Sequence, residues 1–456
     1  MSIETLTAKY LENTQNSARL AERARQTMPG GDTHGHFYNS PYHITIDHGK
    51  GNSLFDVDGN QYLDCVNAYY MHIHGHCFAP IVEALDNQIR SGTGFGMPTE
   101  VQIEFAEYLC KRVPSLDEIR FVSSGSEATS MAIRAARAFT GKQKILKLEG
   151  GYHGNHNIGE INSFGGSLDR EELKFSPEIG CKGSELNDVI LFRFNDADQL
   201  REITKVHSNE IAALIIEPLI IPSGSIPFEP GFLQAIRDIT RESNIVLIFD
   251  EVVTLPFEYG GLQEHYGVVP DLTTMGKGIG GGLPIGAWGG KKEIMELWNP
   301  ERGDDAVLMV STSAGNPMSM TAGLTAMRHL TLELIEKRNN LGQRLRKGMN
   351  EVFKKAGIHG QVTGAAHSFW LHWTDEPVKK PHDVGMAISR AGDEIRNLLF
   401  LGMRHYGVYL FPSPSVFGHI STAMQENDID TIIKALEQTL FEIRPFIKSE
   451  SGLVYA

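Results

Sequence analysis

DLTTMGKGIGGGLPIG, Asp271 to Gly286, is the stretch on which the reading of this chain turns. One lysine, Lys277, stands between Thr273–Thr274 and a run of glycines, Gly278 and Gly280 to Gly282. Glycine lets the backbone take positive φ and approach a bound group closely. A lysine held in a tight, partly desolvated turn presents a nucleophilic amine for Schiff-base chemistry. A mobile Gly-rich loop with a solvated lysine has the same composition, so the flanking chain must decide.

Upstream, short apolar runs alternate with amphipathic ones. Strands are predicted at 118–122, 144–148, 189–194, 211–216 and 245–249, and helices at 127–140, 197–206 and 231–242. Continuous apolar strands between helices predict a mostly parallel sheet covered on both faces, with ligands at the carboxyl ends of its strands. Ser123–Ser126, Gly150–Tyr152, Glu217 and Asp250 then share one rim.

Toward the N-terminus, 4–27 reads as one amphipathic helix stopped by MPGG, and 79–90 and 100–113 as two more. The D-G signal in DVDGNQ predicts a hairpin near residues 43–65. Toward the C-terminus, a long helix is expected over 319–337, then short strands and a last helix, 426–443. The chain thus divides into an N-terminal segment, 1–60, a large domain, 61–330, and a small domain, 331–456. The fold class is α/β: a large domain with a mostly parallel central sheet, plus a smaller α+β domain with which the N-terminal segment packs.

The 456 residues carry 42 Lys plus Arg against 56 Asp plus Glu, a net charge of −14. That balance argues against nucleic acid or an acidic membrane surface as partner. Residues 1–10 are polar and no apolar run reaches membrane-spanning length, so a soluble cytoplasmic protein is expected. Cys65, Cys77, Cys110 and Cys181 are far apart and read as reduced and mostly buried. His72, His74 and His76 alternate in a Tyr- and His-rich stretch. No carboxylate or cysteine cluster at ligand spacing accompanies them, so a polar pocket is preferred to a metal site.

The rim carries the chemistry. SSGSEA, Ser123 to Ala128, opens a helix after a strand, where free N–H groups and the helix dipole favour an anion. GGYHGNH, Gly150 to His156, offers an aromatic ring for stacking. FDEVV, Phe249 to Val253, puts a carboxylate directly after an apolar strand, costly to bury unless paired. An anion cradle, a stacking ring, an acidic partner for a pyridinium and an amine are the parts of a pyridoxal 5′-phosphate site.

These motifs, with IIEP, GKGIGGGLPIGAWGG and STSAGNP, resemble the class III aminotransferase family of fold type I pyridoxal-phosphate enzymes across nearly the whole chain. The resemblance implies that Lys277 is the Schiff-base and catalytic lysine. It implies that Asp250 pairs with the pyridine nitrogen, that Gly125 and Ser126 hold the phosphate, and that Tyr152 stacks on the ring. Glu217 falls in the supporting shell, and Thr312 reaches the phosphate site of a neighbouring subunit, so a homodimer with shared active sites is implied. Within the family the pattern is similar to glutamate-1-semialdehyde aminomutases and β-amino acid aminotransferases.

Two departures bear on the reaction. Where these relatives carry an arginine after MPG or a few residues later, this chain has His34, and His36 with Phe37; around 413–417, where many members carry another, it has none. Arginine grips a carboxylate as a bidentate fork, and a hydrogen bond to a charged group contributes about 1.5–3 kcal/mol. Losing both forks should weaken recognition of a keto-acid acceptor by orders of magnitude. The expectation is therefore chemistry on one small amino compound without net transamination. Either ammonia is eliminated, as from a hydroxy-amino phosphonate or similar anion, or the amine migrates; ordinary transamination is the alternative. His34, His36, Tyr70 and Arg404 are the candidate substrate residues.

Overall fold

The computed structural model describes residues 1–34, 40–163, 180, 183–411, 416–447 and 452–454. The chain divides into two compact units. One comprises Met1–Phe78, Glu336–Lys379 and Asp383–Ala456; the other Ala79–Ile335 and Lys380–His382.

The first unit begins with two helices, Ile3–Asn13 and Gln15–Arg25, rather than one. Thr14 leaves the helical region (φ −133°) and is buried, with its hydroxyl against Tyr42 Oη at 2.9 Å. The second helix is capped from a distance: the Asp58 carboxylate accepts from Asn16 N, Ser17 N and Ser17 Oγ at 2.6–3.0 Å. Strands β1 (Ile46–Lys50), β2 (Ser53–Asp56) and β3 (Gln61–Asp64) form an antiparallel meander.

The second unit is built on seven strands: β4 (Glu118–Val122), β5 (Lys144–Leu148), β6 (Val189–Phe192), β7 (Ile211–Ile216), β8 (Val246–Asp250), β9 (Leu272–Gly276) and β10 (Gly286–Gly290), in the order β4-β10-β9-β8-β7-β5-β6. All pairings from β9 to β6 are parallel; β10 runs antiparallel to both β4 and β9. Every residue of β7 is buried, as its IAALII run requires of a strand covered on both faces. The helix Gly125–Thr140 lays Ala128, Ala132, Ile133, Ala135 and Ala136 on one face of the sheet, where Trp288 of β10 packs edge-on to Trp298.

The opening stretch is thus not a loop. It is strand, 3-10 turn Lys277–Gly280, and a returning strand. Its glycines answer mainly to the protein's own packing. A Cβ on Gly286 would lie 2.0 Å from the Ser124 carbonyl oxygen, and one on Gly281 (φ +59°) 2.5 Å from that of Ala322. The long helix expected over 319–337 is two, Pro317–His329 and Leu332–Ala356, parted where Leu330 turns into the core.

The first unit is completed by β11 (Gln361–Thr363), β12 (Ser368–His372), β13 (Val408–Tyr409) and β14 (Val416–His419). Strand β13 adds parallel to β3, and β11-β12-β14 make a separate antiparallel sheet. The helix Glu426–Ile443 buries Ile429, Ile432, Leu436, Leu440 and Ile443 at helical spacing and starts with a Gln425–Asp428 capping box. Leu6 and Tyr10 share that core. Among the described residues no helix is long and apolar enough to cross a membrane. Cys65, Cys77 and Cys110 are free thiols, of which Cys65 is buried and Cys77 exposed, so the expected burial holds for Cys65 and fails for Cys77. Cys181 lies outside the described residues.

Candidate active site

Asp250 is the last residue of β8, at the carboxyl edge of the sheet, and is 5% exposed. Three donors converge on it. Thr274, opposite it on β9, donates to Oδ1 at 3.0 Å, Val252 N donates to Oδ1 at 3.1 Å, and His153 Nδ1 lies 2.8 Å from Oδ2. Burial pulls the His153 pKa down and Asp250 pulls it back up. A neutral ring whose Nδ1–H donates to the carboxylate leaves Nε2 as a lone pair, and that buried nitrogen has no hydrogen-bond partner among the described residues.

Glu217 follows β7 and is equally buried. Tyr152 N donates to its Oε1 at 3.3 Å and Ile221 N to its Oε2 at 3.4 Å. Burial, then the neighbouring Asp250 charge, pushes its carboxyl up to about 8, so it holds a proton at neutral pH. Lys277 is half-buried and has φ +47°, in the left-handed region. Desolvation lowers its amine's pKa, against the opposing pull of Asp250 and Glu217. A lowered pKa favours the neutral amine, the form that acts as nucleophile and base.

The helix Gly125–Thr140 aims its N-terminus at the same edge. Ser124 Oγ accepts from Glu127 N at 3.2 Å, and the Glu127 carboxylate accepts from Ser123 N at 2.7 Å. Those contacts leave the Gly125 and Ser126 N–H groups among the first-turn donors that a helix does not satisfy internally. The loop after β5 is tied to this end: Asn155 N donates to Ser126 Oγ at 3.0 Å, and the Tyr152 hydroxyl donates to Asn155 Oδ1 at 2.7 Å. Gly154 (φ +105°) is required there, since its Cβ would lie 2.6 Å from Ser126 Cα.

Lys277, Asp250, Glu217, Tyr152, Gly125 and Ser126 therefore meet at one sheet edge. Thr312 is exposed in a turn and makes none of these contacts. His153 and Thr274 are site residues that sequence reasoning passed over. The available signal was that a carboxylate at the end of an apolar strand needs partners. The remaining candidates lie in the other unit. His34 is exposed, stacks on Tyr69 (ring centroids 5.3 Å apart) and sits 3.8 Å from Asp32. Tyr70 is buried against His419, rings 4.0 Å apart. Arg404 is 4% exposed, lies over the rings of Phe400, Tyr409 and Tyr10, and donates to Tyr10 Oη at 3.0 Å. His36 lies outside the described residues. His76 pairs with Asp64 and His74 with the Thr422 hydroxyl. Among the described residues no group of three or more His, Cys, Asp or Glu could hold a metal ion.

Residues 37–403 match the family model for class III aminotransferases. The chain belongs to the class III aminotransferase family. This class III chain is 38% identical to the glutamate-1-semialdehyde 2,1-aminomutase of Thermodesulfovibrio yellowstonii, over 92% of its own length and 98% of the relative's. It shares 40% identity with an omega-transaminase from Sphaerobacter thermophilus, with a TM-score of 0.88 over 94% of this chain and 98% of that one. A beta-phenylalanine aminotransferase from Variovorax paradoxus is 29% identical with a TM-score of 0.87, covering 97% of each chain. The class III cofactor is pyridoxal 5′-phosphate. The donor set fits it: a depressed amine, a carboxylate set by three donors, and unspent N–H groups at a helix N-terminus.

Proposed function

We propose that this class III enzyme moves the amino group within one small amino compound, without a keto-acid acceptor. When bound, pyridoxal phosphate supplies an aldehyde for amines and a ring that accepts electron density from the carbon bearing nitrogen. Lys277 would hold the cofactor and, once displaced by substrate, move a proton at that carbon with its Nζ. Asp250, oriented by His153 and Thr274, would face the ring nitrogen. Gly125 and Ser126 would bind the phosphate, and Tyr152 would cover the ring. Protonated Glu217 would support Tyr152 without adding a second negative charge beside Asp250.

The observation that carries the reaction type is the placement of Arg404. A two-substrate reading needs a guanidinium fork that a substrate can reach; this one is 4% exposed and lies against three aromatic rings in its own unit, with Nε and Nη2 lacking a hydrogen-bond partner among the described residues. No other arginine occurs between residues 28 and 89 or from 405 to 443. The aminomutase relatives support the same reading. Elimination from a phosphonate fits less well, because the Asp32 carboxylate beside His34 opposes a compact anion there. Transamination is the second reading, favoured by the likeness to the omega-transaminase.

The test gives the purified protein glutamate-1-semialdehyde, and a panel of small amines, with no keto acid present. Amine migration predicts sustained conversion to the isomer with nitrogen moved from carbon 2 to carbon 1, and no free ammonia. Ammonia release with a carbonyl product would replace it by elimination. A single turnover that resumes only on adding a keto acid would replace it by transamination.

A homodimer is part of the proposal, with Thr312 contributing to the partner copy's phosphate site. The second unit exposes Phe95, Met97, Leu308 and Val310, and the segments that carry them are joined by Asn316 Nδ2 donating to Thr93 O at 2.8 Å. If these side chains form one contiguous patch, it would be the face that the partner copy covers. A cytoplasmic location accords with the absence of a spanning helix among the described residues.

A further inference from the structure

Lys147 is a lysine inside a sheet. It lies in β5, which is paired on both sides, opposite Ile215 of β7 and Leu191 of β6, and is 0% exposed. A buried ammonium is costly unless its donors are met. Here they are met by one short piece of chain. Nζ donates to Gly159 O at 2.7 Å, to Ile161 O at shorter range, and to Ser163 Oγ at 3.2 Å, with Ile158 O at 3.4 Å.

The acceptors are not independent of the active site. Gly159 O also accepts from His153 N at 3.3 Å and from Ser163 Oγ at 2.9 Å. Ser163 Oγ lies 3.1 Å from Gly151 O, and Gly150 N donates to Asn162 O at 3.2 Å. His156 closes the far side, accepting from Gly159 N at Nδ1 and meeting Thr129 Oγ1 at Nε2, both at 3.1 Å. The segments 150–153 and 159–163 are therefore joined with the ammonium at their junction. Segment 150–153 carries Tyr152, whose N–H meets Glu217, and His153, which meets Asp250.

We propose that Lys147 is a positioning residue: its buried ammonium is the centre on which residues 150–163 fold, and through them it sets Tyr152 and His153 against Glu217 and Asp250. The proposal rests on the reading of that sheet edge as the cofactor site. The groups that accept from Lys147 Nζ include carbonyl and hydroxyl oxygens, which an apolar side chain in its place would not satisfy. Removing the ammonium takes away the donor that joins Gly159 O, Ile161 O and Ser163 Oγ, which loosens the loop rather than shrinking it. The Lys147 charge also adds to burial in keeping His153 and His156 neutral.

The test uses the full chain freed of cofactor, so that added amines meet no aldehyde, and compares wild type, Lys147→Met and Lys147→Ala by hydrogen exchange. The expected result for Lys147→Met is exchange faster by about tenfold or more across 150–163, with β7 and β8 unchanged. In Lys147→Ala, n-propylammonium should return protection to 150–163, and n-propanol, of like size without the charge, should not. Reloaded Lys147→Met should bind pyridoxal phosphate about tenfold more weakly by equilibrium dialysis. Unchanged exchange over 150–163, or an equal rise throughout the second unit, overturns the proposal. Should Lys147→Met not fold, recovery of folded Lys147→Ala only with n-propylammonium in the refolding buffer supports it, and no recovery overturns it. Failure of wild type to bind pyridoxal phosphate would sink the site reading alone, since the exchange comparison needs no cofactor.

Discussion

Lys277 is a lysine whose pKa burial pulls down and Asp250 and Glu217 pull back up. Lys277→Ala should abolish both turnover and the long-wavelength absorbance of bound cofactor; a variant that is active with an unaltered spectrum would move the site elsewhere. Glu217 makes the opposite adjustment. Its folded pKa of about 8 lies above the ordinary carboxyl value, so the folded state binds more protons than the unfolded one across that interval. Stability contributed by this group is full below about pH 4.5 and is lost as pH rises through about 8. Lys277 has the opposite sign, but it is present in both proteins of a comparison. The urea midpoint of cofactor-free Glu217→Gln, relative to wild type, should therefore rise between pH 5 and pH 8.5; a constant difference would refute the assignment. Thr274→Val removes one of the three donors on Asp250 and should cost about 1 kcal/mol in stability with little change in volume, read as a shift in melting temperature.

At the scale of elements, glycines and caps decide where the chain turns. A methyl on Gly286 would collide with the Ser124 carbonyl oxygen at 2.0 Å, and both partners are backbone, so neither can move aside cheaply. Gly286→Ala should destabilise the second unit by roughly 2–4 kcal/mol, whereas Gly94→Ala, whose Cβ would meet nothing within 4 Å, should be nearly neutral. Parallel thermal melts separate the two. Most elements were legible from local pattern. The apolar runs of β5, β7 and β8 and the helix Glu426–Ile443 declare themselves because burial demands a period that the sequence carries. Two helical pairs read as single long helices in sequence, because helical spacing runs on through Thr14 and Leu330. The break at Thr14 is made by a distant carboxylate, Asp58, which accepts from the first N–H groups of the next helix. Strand β10 carries little signal in the sequence: GAWGG is three-fifths glycine, and pairing with β4 and β9 makes it a strand.

For the whole molecule, the exposed apolar side chains of the second unit set an expectation that can be weighed directly. Light scattering at micromolar concentration should give a dimer for wild type, and Leu308→Asp with Val310→Asp should shift it toward monomer with loss of turnover. A wild-type monomer with full activity would remove the shared site from the proposal. By itself the sequence determined the family, the cofactor and the order of motifs on the rim, because each motif is a local event: a strand end followed by the residue type its chemistry needs. Only the tertiary structure decided which groups tune that chemistry. His153 and Asp250 are 97 residues apart in sequence, and Thr274 reaches Asp250 from the next strand. Lys147 reads as an ordinary strand lysine until the loop that encloses it is in place. The structure also decided that Arg404 lies against aromatic rings and that the glycines after Lys277 serve packing. Pairing across a sheet is set by register and burial, which belong to the folded chain and not to any window of its sequence.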